Sequence, residues 1–349
     1  MPEPRPGLRD AAPYGAPQLD VPVRLNTNEC PYELPAGYAD DLAEAVRGVT
    51  LNRYPDRDAV ALRDAIASHV GGVAAEQVWA ANGSNEIIQQ LLQAYGGPGR
   101  RAVLFHPTYV LYEQLLWTSH TAVEKVEVPA PFLVGDEQIQ RSVASGAEIV
   151  IVCSPNNPTG NTQRPEVVQR LATETDALVV VDEAYIEFGG ESAAGLVGEQ
   201  PNVIVVRTFS KAFALAGARI GYCLAAPEVI DDLLRVRLPY HLSALTQAAG
   251  LVALRYTKES MTILGALRQQ RDRIVEHLGR LDGVTVYPSD ANFVLFHVPG
   301  DPREIWQSLL DRGVLVRDMS GSVPGCLRVS SGTPEEVDRF LEALEEVVA

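Results

Sequence analysis

The sequence predicts an α/β protein, with a mostly parallel central sheet in a large domain and a smaller α+β domain towards the C-terminus. Two observations carry this expectation. Wholly apolar runs, Ile149 to Val152, Leu178 to Val181 and Val203 to Val206, alternate with segments of helical period, which is the pattern of buried parallel strands joined by crossover helices. Each run also ends in a polar cluster, and open parallel sheets build their sites at the carboxyl ends of their strands.

Residues 1 to 20 contain five prolines and two glycines, so they predict an extended arm, with Tyr14 as its one aromatic side chain. Val21, Val23 and Leu25 alternate as a short strand that enters the polar turn Asn26-Thr27-Asn28-Glu29-Cys30-Pro31-Tyr32. A helix follows over about 36–46, and Pro55 then holds Tyr54 in extended backbone. Helical spacing resumes over 58–70, and 78–81 predicts a short strand. Asn82-Gly83-Ser84-Asn85-Glu86 opens the next helix; its free N–H groups and positive dipole end suit a phosphate, although Ser or Asn at this place also serves as a plain N-cap.

A strand over 102–105 leads to Tyr109, placed either to stack on a planar ring in the crevice or to pack at its rim. Residues 129–147 show little period and predict no element. The strand over 203–206 ends before Thr208-Phe209-Ser210-Lys211. Taken alone, Lys211 reads equally as a solvent-facing lysine at a helix start or as an amine that desolvation and the nearby Arg219 push towards its neutral, nucleophilic form. Thr208, Ser210 and Arg219 together suit one bound anion.

Beyond Tyr222, helices are expected over 227–236 and 243–256, with a long charged helix over 259–281 as a connector. Strands near 284–287 and 292–296, a helix over 302–312 and strands near 314–317 and 327–330 complete the smaller domain. Arg317 and Arg328 each close a short apolar strand, and Thr333-Pro334-Glu335-Glu336 is a capping box that opens the last helix. The expected division is an arm over 1–35 packing with the small domain, a large domain over 36–257 and a small domain over 258–349.

Composition narrows the function. With 29 basic and 45 acidic residues the chain carries a net charge of −16, which argues against nucleic acid or an anionic membrane as partner. Cys30, Cys153, Cys223 and Cys326 form no C-x-x-C pair, so neither a zinc site nor a disulfide framework is expected. The first 20 residues lack the apolar core of a signal peptide and no run is long enough to span a bilayer, so the cytoplasm is the expected compartment.

The strand ends present a lysine, an aspartate, an asparagine and a tyrosine beside a phosphate cradle, the set that a pyridoxal-phosphate site requires. Lys211 supplies the amine for an imine bond, and Asp182 supplies the anion at the pyridine nitrogen. Asn157 and Tyr185 would donate to the phenolic oxygen of such a ring, and Tyr109, if not simply packed at the rim, would stack on its face.

These residues resemble fold-type I aminotransferases through Ser154 to Gly160, Asp182-Glu183-Ala184-Tyr185 and Ser210-Lys211 with Arg219. More narrowly, Arg24 to Glu29, Asn52 to Asp56, Asn82 to Glu86 and Leu238 to Ser243 resemble the histidinol-phosphate aminotransferase family, and this likeness covers nearly the whole chain. The resemblance implies pyridoxal 5'-phosphate as cofactor and Lys211 as both nucleophile and proton carrier. It implies that Ser84, Asn85, Thr208, Ser210 and Arg219 hold the cofactor phosphate, and that Arg328, Arg317, Tyr14 and Asn28 bind substrate. It further implies a homodimer in which Tyr54 reaches the neighbouring site. Cys30, where the family's turn has asparagine, and a shortened stretch over 116–147 depart from the pattern near the expected substrate side. Related readings are a transaminase of an aromatic or basic α-amino acid, in primary or specialised metabolism, and a decarboxylase of a phosphorylated amino acid. A non-catalytic effector module, which expects an attached DNA-binding domain, ranks below both.

Overall fold

The structure is a computed structural model that describes every residue except 6, 10, 12, 14 and 349; Tyr14 therefore lies outside the described residues. The chain begins with β1 (Val23–Arg24), α1 (Tyr38–Arg47), α2 (Val60–Val70), β2 (Val78–Ala81) and α3 (Ser84–Tyr95). It continues through β3 (Arg101–His106), α4 (Leu111–Thr118), β4 (Ala122–Glu127), α5 (Asp136–Ala144), β5 (Ile149–Cys153), α6 (Pro165–Glu174) and β6 (Leu178–Asp182). Next come β7 (Val203–Thr208), β8 (Gly221–Leu224), α7 (Pro227–Val236), α8 (Ala244–Arg255) and the long α9 (Thr257–Leu278). The chain ends with β9 (Thr285–Val286), β10 (Phe293–His297), α10 (Pro302–Asp311), β11 (Val314–Leu315), β12 (Arg317–Asp318), β13 (Cys326–Ser330) and α11 (Pro334–Val348).

The large sheet has the order β2-β8-β7-β6-β5-β3-β4. Strands β3 to β7 pair in parallel, as the apolar runs predict, whereas β8 runs antiparallel between β7 and β2. Alternate residues feed two cores. Val150, Val152, Val179, Val181, Val203 and Val205 pack with Leu62, Ile66, Val168 and Leu171 on one face. Ile149, Ile151, Val180, Ile204 and Val206 pack with Ile88, Leu91, Leu116 and Leu233 on the other. Because both faces are covered, side chains of the strand interiors cannot meet solvent, and polar groups are confined to the strand ends. The chain steps outward through β5, β6 and β7 in one direction and through β3 and β4 in the other, so the switch point lies between β3 and β5.

Two elements occupy the region where no element is expected or the reading stops. Strand β4 is an edge strand of sequence AVEKVE, exposed over most of its length, and α5 follows it. A small antiparallel sheet, β12-β13-β10-β9, forms from the C-terminal part. It is covered by α9, α10 and α11 around Ile274, Phe296, Leu309 and Phe340. The expected strand over 314–317 divides in two at Val316, whose carbonyl accepts from the Trp306 indole at 2.8 Å. Its first half, β11, instead pairs in parallel with β1, Val23 opposite Val314, which ties the N-terminal segment to the C-terminal elements. The capping box at α11 forms: the Thr333 N–H donates to Glu336 Oε2 at 2.9 Å and the Glu336 N–H donates to Thr333 Oγ1 at 3.3 Å. No described helix is long and apolar enough to cross a membrane.

Phe340 is fully buried and meets Phe296 edge-on at 6.2 Å in the core beneath the small sheet. Phe340→Ala is expected to cost about 3–5 kcal/mol of stability, measured as a lowered urea midpoint.

Candidate active site

The carboxyl ends of β3, β5, β6 and β7 converge on a cavity of about 360 Å³. Every predicted site residue among those described lines it, with the exception of Tyr54.

Lys211 follows β7 and points towards the N-terminal turn. Its Nζ donates to the carbonyls of Asn28 at 2.9 Å and Thr27 at 3.3 Å, and lies 5.8 Å above the Tyr185 ring. Burial, followed by the guanidinium of Arg328, lowers its pKa to about 8; Glu29 opposes the shift and Arg219 adds to it. The sequence singles out Arg219 for this effect. The stronger cation is Arg328, which the fold brings in from β13.

An anion cradle forms where α3 meets β8. Gly83 has φ +88°, and a Cβ there would lie 2.7 Å from Arg219 Nη2. A Cβ on Gly221 would lie 2.4 Å from both the Gly83 carbonyl carbon and the Ser84 nitrogen. Only glycine at both positions lets the helix N-terminus, β8 and Arg219 approach this closely. Arg219, itself in the left-handed region at φ +52°, donates to Ser210 Oγ at 3.3 Å. Thr208 Oγ1 donates to the same hydroxyl at 3.0 Å.

Asp182 ends β6 and is buried. Its Oδ2 accepts from the Tyr112 hydroxyl at 2.7 Å and its Oδ1 from the Ala184 N–H at 3.1 Å. Burial raises its pKa to about 6, while these two hydrogen bonds pull it back down. The Tyr185 hydroxyl accepts from Asn28 Nδ2 at 3.0 Å, and burial lifts the phenol well above its ordinary range. Arg328 is buried as well: it donates to Asn157 Oδ1 at 2.5 Å and to the Asn26 carbonyl at 2.9 Å, with its guanidinium 5.0 Å over the Phe293 ring. Arg317 faces Arg328 directly in the β12–β13 register.

Tyr54 lies elsewhere. It is 79% exposed and stacks on Tyr240 with centroids 4.3 Å apart. The two departures from the family pattern also stay off the cavity wall. Cys30 packs against the core with its thiol 3.9 Å from the Tyr32 carbonyl, and no residue of 116–147 lines the cavity, because β4 is the sheet edge beyond β3. Residues that the sequence does not single out do line it, among them Glu29, Thr108, Tyr112, Cys153 and Met319. Thr108 donates to Asn156 Oδ1 at 3.0 Å, which buttresses the loop carrying Asn157. Tyr112 sits on an amphipathic helix, where one more aromatic residue looks like core.

A desolvated lysine, a buried carboxylate and a glycine-lined anion cradle at parallel strand ends define a pyridoxal-phosphate-dependent transferase, and each of these features fits that cofactor. The sequence pattern of aminotransferase class I and II matches residues 21–344, and the chain belongs to this family. It is 49% identical to the histidinol-phosphate aminotransferase of Frankia casuarinae, covering 97% of this chain and 89% of the relative. It is 50% identical to that of Thermobifida fusca, covering 97% and 94%. Among solved structures, the histidinol-phosphate aminotransferase of Sinorhizobium meliloti in complex with pyridoxal 5'-phosphate superposes with a TM-score of 0.86 at 25% identity, over 94% of this chain and 91% of that one.

The lowered pKa of Lys211 has a readable consequence. In the cofactor-free protein, acylation of Lys211 by an amine reagent is expected to reach half its plateau near pH 8, whereas an ordinary lysine does so near ~10.4. The chain has only three lysines, so peptide mass spectrometry across a pH series resolves each one; a midpoint at the ordinary value would contradict the desolvated setting.

Proposed function

We propose that the protein moves the amino group of histidinol phosphate to 2-oxoglutarate, using pyridoxal 5'-phosphate joined to Lys211. The relatives' activity supports the reading, and one observation carries the substrate. Arg317 and Arg328 stand opposite each other on neighbouring strands and both line the cavity. Like charges directly opposite across an antiparallel pair destabilise it, and a phosphate dianion offsets two guanidiniums better than a single carboxylate does.

The cofactor supplies an electron-withdrawing ring that makes the donor's proton labile. The chain's residues do the rest. Ser84, Asn85, Thr208, Ser210 and Arg219 hold its phosphate, and Tyr109 packs against its face. Asp182 keeps a negative charge at the ring nitrogen, while Asn157 and Tyr185 orient the ring oxygen. Lys211, close to half neutral near pH 8, can both accept the donor's proton and return it, as a general base and acid must. Asn28 holds the amine of Lys211 and the hydroxyl of Tyr185 in place. Two chains pair through a surface carrying Leu51, Tyr54, Leu238 and Tyr240, all exposed, and Tyr54 crosses to the neighbouring cavity. Such a biosynthetic enzyme acts in the cytoplasm.

A basic α-amino acid donor is the second reading, because the exposed carboxylate of Glu29 lines the same cavity.

The test is the half-reaction of the cofactor-loaded protein, followed by the cofactor's absorbance as each donor converts it to pyridoxamine phosphate. Histidinol phosphate and glutamate are expected to convert it rapidly, and phenylalanine, histidine and arginine poorly. Preference for an aromatic or basic amino acid, with histidinol phosphate inert, would overturn the substrate. Carbon dioxide released without an amino acceptor would make the protein a decarboxylase. Arg328→Ala is expected to raise the KM for histidinol phosphate by about 30–100-fold, the worth of a lost charged hydrogen-bond pair, while cofactor retention stays near that of the parent. Equal loss of both would remove Arg328 from the substrate site.

A further inference from the structure

Tyr112 is fully buried on α4, and it lines the cavity. Its hydroxyl donates to Asp182 Oδ2 at 2.7 Å. Its ring meets that of Tyr109 edge-on, with centroids 5.4 Å apart and planes at 89°. One side chain thus touches both the carboxylate assigned to the ring nitrogen and the aromatic assigned to the ring face. The surrounding cluster, Leu104, Leu116, Ile151 and Val180, is apolar and makes no use of a hydroxyl. Burying a phenol costs free energy unless the oxygen finds a partner; its partners are the Asp182 carboxylate, to which it donates, and the neighbouring Cys153 thiol. The remaining contact to that carboxylate is a longer bond, 3.1 Å, from the Ala184 backbone. Across the β5–β6 register Asp182 faces Cys153, so the strand on that side offers it no cation.

We propose that Tyr112 is a positioning residue for the reaction: its hydroxyl keeps Asp182 a fixed, ionised acceptor, so that the proton shared with the ring nitrogen stays on nitrogen. The inference rests on the cofactor reading above. Burial pushes Asp182 towards its protonated form and the Tyr112 bond counters it. Without that bond the proton passes from the ring nitrogen to the carboxylate. No proton is gained or lost overall, but the ring loses the positive charge with which it withdraws electrons.

The test uses the holoenzyme of Tyr112→Phe, loaded with pyridoxal phosphate carrying nitrogen-15 in the ring. The nitrogen resonance is expected to move towards its unprotonated position. In parallel, kcat is expected to fall about tenfold or more, with the KM for the amino donor within about twofold of the parent, since no substrate contact is removed. An unmoved resonance together with an unchanged kcat overturns the proposal. Should Tyr112→Phe not fold, 4-aminophenylalanine in place of Tyr112 keeps the shape and donates more weakly; the resonance is then expected to move towards the unprotonated position, and its failure to move overturns the proposal equally. A parent protein that takes up no pyridoxal phosphate overturns the proposed function and this inference with it. An active parent beside an unaffected Tyr112→Phe overturns this inference alone.

Discussion

The cavity depends on Asn28, which fastens the small sheet to the ends of the large one. The residue is buried in the left-handed region at φ +55°, a conformation that asparagine tolerates far better than a branched side chain. Its N–H donates to Ser330 Oγ and its Oδ1 accepts from the same hydroxyl, both at 2.9 Å. Its Nδ2 reaches Tyr185. Its carbonyl takes Lys211 Nζ and Asn292 Nδ2. Five polar contacts from one residue thus join β13, the residue before β10, the loop after β6 and the loop after β7. The architecture comes first at this position: with its polar atoms so committed, Asn28 can act on a bound molecule chiefly by holding Tyr185 and Lys211 where they are.

That fastening also explains the electrostatics. The chain as a whole carries −16, yet the cavity gathers Lys211, Arg219, Arg317 and Arg328 against Asp182 and Glu29. A net charge far from zero says little about one crevice, where low-dielectric walls make the local set of charges decisive. Arg328 comes from β13, more than a hundred residues after Lys211, and it reaches the amine only because β1 and the 26–29 turn seat the small sheet over the strand ends. Desolvation and this borrowed cation act in the same direction on the lysine. The same desolvation raises Asp182, and there a hydroxyl and a backbone N–H act against it. The site therefore holds one group eased towards its neutral form and one held towards its charged form, each by a neighbour that suits its sign.

What the sequence made legible follows from local chemistry. Runs such as Val203 to Val206 have no solvent-facing alternative, so both the strands and the polar residues at their ends could be read directly. Thr333 to Glu336 likewise signals its own cap. Strand β4 could not be read, because an edge strand alternates charged residues with few buried ones and resembles a loop or a solvated helix. Strand β8 is four residues long inside a glycine-containing motif, too short for a periodicity to show. Tyr112 was hidden for a different reason. Its function lies in a contact to Asp182, seventy positions away, and nothing in Leu111 to Thr118 separates that tyrosine from ordinary core. The pairing of Arg317 with Arg328 was equally invisible, since strand register is a tertiary fact even when both strands are apparent.

That register bears on how one cavity can serve two co-substrates. A transaminase must seat its donor and its acceptor in turn at the same place, and in the proposed reaction one carries a phosphate and the other two carboxylates. Two arginines on opposed strands meet this requirement because each guanidinium presents a planar fork that accepts either anion. Arg328 is buried and braced by Asn157 and the Asn26 carbonyl, so its direction is set before any ligand arrives. Arg317 is only half-buried. A phosphate dianion can engage both from a single group, whereas 2-oxoglutarate engages both by placing one of its two carboxylates on each. In the proposed reaction the braced Arg328 serves both co-substrates, and Arg317 takes the second negative charge that each of them carries.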